Sequence, residues 1–168
     1  MRRLEYPPKY VCLLVICMIW SGFVIELSAQ TSYVHPLVDM SFIASPSWEE
    51  AIHQNNGQVF QAINPNRNMQ VFMSYLPGCT HPKRQLHKIS GQRGLICQDP
   101  YYDTVLNGRK AWMMKGVCLQ GKRPYRRMIT GIPGKEGLYL IEICCPEECY
   151  ARHREEMEAI LGSLTVGS

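Results

Sequence analysis

The chain has 168 residues, 46% of them hydrophobic and 19% charged. This composition excludes a disordered segment or a coiled coil and is enough for one real core. The net charge is +4; three of the 18 Lys and Arg and two of the 14 Asp and Glu fall in the first 29 residues. The remainder therefore carries +3, too mild a charge to indicate a nucleic-acid binder.

Arg2, Arg3 and Lys9 precede an apolar run from Tyr10 to Ile25, and Leu27-Ser28-Ala29 comes after it. A basic start, an apolar middle and a small residue at the end are what a signal peptidase reads. Residues 1–29 are therefore expected to be a signal peptide, cleaved near Ala29-Gln30, with 30–168 forming a single α+β domain. The run spans 16 residues and is interrupted by Ser21-Gly22, short of the roughly 20 apolar residues of a membrane span. An uncleaved anchor is the alternative. Lipid attachment is disfavoured, because Cys17 follows Val15-Ile16 where a small residue is needed. The expected destination is oxidising, a periplasm or the outside.

Strands dominate the rest of the chain. Ser41 to Ala44 and Val59 to Ile63 are short ones, ended by Ser45-Pro46 and Asn64-Pro65-Asn66. In Met69 to Tyr75, Met69, Val71, Met73 and Tyr75 alternate with Gln70 and Ser74, the period of a half-buried strand. The polar, basic segment from His81 to Gly91 is a short surface helix or a loop. Tyr101 to Leu106 and Arg109 to Leu119 flank Asn107-Gly108, a strong hairpin signal because both turn residues must tolerate positive φ. Tyr125 to Ile132 and Leu138 to Cys145 continue an antiparallel meander. In the last strand Tyr139, Ile141 and Ile143 share one face while Leu138, Leu140, Glu142 and Cys144 share the other, which implies cover on both sides.

A helix closes the chain. Pro146 suits a first helical position, and Glu147 and Glu148 suit the positive end of the dipole. Cys149, His153, Met157, Ile160, Leu161 and Leu164 form one stripe, and Gly162 is a stop signal. This order, with Phe42, Pro46, Trp48 and the closing Ser163-Leu164, resembles the PsbP-like group, which includes DcrB-like envelope proteins. The resemblance covers roughly residues 33–164. It implies an α/β/α sandwich around a central antiparallel sheet, and a non-enzymatic binding or assembly role.

Cys12 and Cys17 lie in the signal segment, leaving Cys79, Cys97, Cys118, Cys144, Cys145 and Cys149. Six cysteines allow 15 pairings. A two-residue turn at 107–108 sets Cys97 opposite Cys118, predicting a cross-strand disulfide unless a bulge at Pro100 or Gly116 shifts the register. The meander gathers Cys97, Cys118, Cys144, Cys145 and Cys149 near the start of the final helix. Disulfides suit an exported chain. The alternatives are a redox-active thiol or a zinc site drawn from Cys97, Cys118, Cys145 and Cys149 with His153. Adjacent Cys144 and Cys145 point to opposite faces and are not expected to pair.

His53, His81 and His87 have no acid or nucleophile at informative spacing. No Ser-His-Asp pattern, phosphate loop or metalloprotease helix is present, and His153 reads as a packed histidine. The chain is therefore expected not to be an enzyme and to need no cofactor. Lys122, Arg123, Arg126 and Arg127 form the densest basic stretch, a candidate contact for acidic headgroups, polyanionic glycans or an acidic envelope protein. Trp48, Tyr101, Tyr102 and Trp112 are expected to be core rather than groove residues. The sequence thus points to an exported, disulfide-stapled binding domain.

Overall fold

Val71 and Met73 are fully buried while Phe72 and Ser74, which alternate with them, are only partly so. This period-2 alternation is how a strand presents different residues to the two layers that flank a sheet. The computed structural model describes residues 30–53 and 59–167, so the expected signal segment lies outside it. The elements run β1 (Thr31–Val34), β2 (Met40–Ala44), β3 (Glu49–His53), β4 (Val59–Ile63), β5 (Gln70–Pro77) and α1 (Pro82–Gln92). Next come β6 (Ile96–Leu106), β7 (Arg109–Gln120), β8 (Arg123–Pro133), β9 (Gly137–Pro146), a 3-10 turn (Glu147–Cys149), α2 (Tyr150–Ser163) and β10 (Thr165–Val166). Seven strands make one antiparallel sheet in the order β3-β4-β5-β9-β8-β7-β6; β1, β2 and β10 make a second, small one.

The two faces of the large sheet carry separate cores. On one, Phe60, Val71, Met73, Met113, Met128, Ile141 and Ile143 meet Met157, Ile160 and Leu161 of α2 and Tyr33, Phe42 and Trp48 of the small sheet and its loop. On the other, Met114, Ile129, Leu138 and Leu140 meet Leu86 and Ile89 of α1. Cover on both sides is what the apolar faces of β9 required. Trp48 is core, its ring 6.2 Å from that of Phe42, and Trp112 packs at the edge of the second core.

Local chemistry fixes the turns. Asn64 Oδ1 accepts the backbone N–H groups of Asn68 and Met69, closing the β4–β5 connection. Asn107 and Gly108 both have positive φ, 47° and 77°, as a type I′ hairpin turn demands. Pro82 sits at the start of α1, and the segment left open as helix or loop is a helix because Leu86 and Ile89 both bury against the sheet. The last helix begins later than expected. Pro146 ends β9 with ψ 141°, and a 3-10 turn intervenes because Glu147 and Glu148 are tied back to Arg126 and Arg123 of β8. Gly162 does not stop α2, which runs to Ser163.

Candidate functional site

The described cysteines do not assemble into a site. Leu106 faces Arg109 and Tyr102 faces Met113 in the expected register, but two shifts follow, between Tyr102 and Asp99 and between Asp99 and Cys97. Cys97 therefore lies opposite Gly116, and the predicted Cys97–Cys118 pair is corrected. Pro100 has no N–H for the ladder, and a Cβ on Gly116 would sit 2.4 Å from the Ile96 carbonyl oxygen. These two residues make the bulged approach possible. Cys118 instead faces Tyr125 of β8. Cys79, Cys118, Cys144, Cys145 and Cys149 are all free thiols, so none of these five forms the expected disulfide. The side chain of Cys97 lies outside the described residues.

The alternative zinc set is divided by the sheet. Cys118 shares the α1 face with Met114, whereas Cys145 points into the other core, its Sγ 3.9 Å from Met157 Sδ. His153 is buried with Nδ1 3.2 Å from Glu156, the packed histidine expected. Among the described residues no three metal-ligating groups come together. Burial pushes the Cys144 thiol up to about 11 and the Cys145 thiol up to about 12, the opposite of what a nucleophile or metal ligand needs.

The basic hairpin is also largely committed. Arg123 binds Glu148, and Arg126 binds Glu147 while its guanidinium lies 4.9 Å from the Tyr150 ring. The Arg123 guanidinium holds the Glu148 carboxyl below its usual range. Arg127 is buried and donates from Nη1 to Glu142 Oε2 at 2.7 Å. The same carboxylate accepts from Arg93, at 3.2 Å to Nε and 3.1 Å to Nη2. Of the four candidate contacts Arg127 is not at the surface but buried in an ion pair; Arg123 and Arg126 are paired, and Lys122 is exposed with no carboxylate partner among the described residues.

A concave feature lies elsewhere, beside α1. Gly78, at φ 68°, ends β5 by donating its N–H to the Glu136 carbonyl at 2.7 Å. The chain then turns into α1, whose buried Leu86 and Ile89 force the opposite side of the helix outward. A groove of about 700 Å³ results, lined by Leu76, Pro77, Cys79, His81, Arg84 and Lys88 among others. A smaller one of about 400 Å³ lies beside the first turn, where Lys83 approaches the Trp112 ring at 5.9 Å. Lys83 pairs with Asp103 at 3.2 Å. Arg84 and Lys88 are exposed and have no carboxylate within 4 Å among the described residues. A signal for this groove exists in the sequence: from Ala51 to Gln98 there is no Asp or Glu, but there are five Lys and Arg. Density of cations points to the hairpin, whereas scarcity of acids marks the groove.

No protein-family model matches the chain, and no curated protein matches it. Among solved structures, it is similar to cyanobacterial PsbP (CyanoP) from Synechocystis sp. PCC 6803. The identity is 8% and the TM-score 0.63, over 86% of this chain and 96% of that one. It is also similar to LpqN, involved in cell envelope biogenesis of Mycobacterium tuberculosis, at 13% identity and TM-score 0.58 over 83% and 91%. The Ran-binding protein Mog1p of Saccharomyces cerevisiae gives 9% and 0.56 over 83% and 96%. The chain has the PsbP-like fold, an α+β antiparallel sheet covered by helices, as the resemblance of its element order implied.

Proposed function

We propose that this chain is an exported, non-catalytic binding domain that meets a partner through the groove beside α1. One observation carries the reading: Arg84 and Lys88 stand over an open concavity with no carboxylate partner among the described residues, while the hairpin arginines are held in ion pairs. Charge without an internal partner at a concave surface is charge available to another molecule. Proteins of the same fold give the class some support, since Mog1p binds Ran and LpqN is involved in envelope biogenesis. Export rests on the basic, apolar and small-residue succession of residues 1–29. Held by two apolar cores, the domain is read as standing without staples among its described cysteines.

A photo-crosslinking side chain placed at Gln85, on the groove, and separately at Arg152, exposed on α2, tests the site in the native host. Adducts are expected from position 85 and not from 152; adducts from 152 alone would move the contact to the other face. The same material tests export, because its first residue should be near Gln30. A chain still starting at Met1 would mean an anchor instead.

A further inference from the structure

Arg84 and Lys88 are four residues apart on one helix face, an arrangement of like charges that disfavours an isolated helix. Neither is relieved by a carboxylate among the described residues. Four residues of helix rise about 6 Å, close to the roughly 6.6–6.8 Å that separates side chains two apart on an extended chain. Two acidic residues flanking a third would therefore meet both cations at once. Below these cations the groove is apolar, with Leu76, Pro77 and Cys79 along its β5 side.

Resting on the groove reading above, we infer that the ligand is an extended acidic segment of a partner protein with an apolar residue between two carboxylates. The carboxylates face Arg84 and Lys88, and the intervening side chain covers Leu76 and Pro77. His81 and His87 also line the groove. A bilayer fits the shape less well. It is flat, whereas these groups line a concavity with an apolar side that a headgroup layer would leave empty.

The test uses the full chain and three probes: a fluorescent peptide with an Asp-Leu-Asp centre, its Asn-Leu-Asn counterpart, and vesicles containing phosphatidylglycerol. The Asp-Leu-Asp peptide should bind, weaken with salt, and lose at least tenfold in affinity on R84E/K88E. K122E should leave its binding unchanged, and unaltered thermal melting of R84E/K88E would show that the fold is intact. Equal binding of the neutral peptide, with amide shifts confined to the groove, overturns the acidic partner but leaves the groove. Binding of the acidic peptide that R84E/K88E does not weaken overturns both. Vesicle binding that depends on Arg84 and Lys88, without peptide binding, replaces the acidic segment by a membrane surface. No binding of any probe while position 85 still yields adducts overturns the acidic segment alone.

Discussion

The Cys144 and Cys145 side chains are inaccessible, one under each face of β9, and burial holds each as the neutral thiol. An unfolded chain has no such constraint, so above pH 9 it loses these protons before the folded protein does. Raised thiol pKa values therefore leave stability whole below about pH 9 and erode it as the pH climbs toward 11. For Cys144 the slope is about 1.4 kcal/mol per pH unit. Urea titrations at pH 8 and pH 10.5 should show the fall, and a Cys144→Ala, Cys145→Ala variant, less stable overall, should show a flatter profile. A flat wild-type profile would mean that neither thiol is held neutral. At pH 8 a water-soluble thiol reagent should reach the partly exposed Cys79 and Cys149 and spare Cys118, Cys144 and Cys145. Arg127 belongs to the same buried strip. Arg127→Ser leaves the Glu142 carboxylate, 6% exposed, with Arg93 as its one guanidinium partner. Breaking such a pair costs about 3 kcal/mol, whereas Lys122→Ser should stay within about 0.5 kcal/mol. Equal effects in denaturant melts would mean that Arg93 alone satisfies Glu142.

Two glycines show how a single Cβ acts differently in two elements. At Gly116 of β7, it would meet the Ile96 carbonyl oxygen at 2.4 Å and the carbonyl carbon at 3.0 Å, so β6 has to move. Gly116→Ala is expected to cost about 1–3 kcal/mol, as overpacking against a backbone that cannot yield usually does. At Gly162 of α2 nothing lies within 4 Å. There alanine should stabilise by roughly 0.5–1 kcal/mol through helix propensity. Chemical melts of both variants decide the matter, and a neutral Gly116→Ala would show that the β6 bulge adapts. The same region marks where reading the sequence succeeded and failed. Asn107-Gly108 announced the turn and its φ values, because those two residues are selected by backbone sterics within the turn itself. The register five residues away was not legible, since Pro100 and Gly116 permit a shift without saying how many residues it takes. Two shifts occurred, and with them the cross-strand disulfide was lost.

At the scale of the molecule, the sheet and its last helix were visible because their apolar patterns are long. Strands β1 and β10 were not, being four and two residues that exist by pairing with β2 rather than by any pattern of their own. Strand β3 escaped notice for the same reason: Glu49 and Glu50 open it, and its one neighbour is β4. The layering has a dynamic consequence for the groove. The core beneath α2 joins both sheets, whereas the core beneath α1 comprises Leu86, Ile89, Met114, Ile129, Leu138 and Leu140 with a partly buried margin. Beyond those contacts, α1 is fastened by Lys83 to Asp103 at its start and by Arg93 to Glu142 at its end, with both cations largely exposed. Local opening follows the amount of apolar burial, so the wall that carries Arg84 and Lys88 should loosen before α2 does. Hydrogen exchange should show the amides of Lys88 to Gln92 exchanging well before those of Met157 to Leu161. Leu86→Ala, which leaves a cavity beneath the helix, should speed the first group by at least tenfold with little change in the second. If both helices exchange together in both proteins, α1 belongs to one cooperative unit with the rest and the groove is rigid.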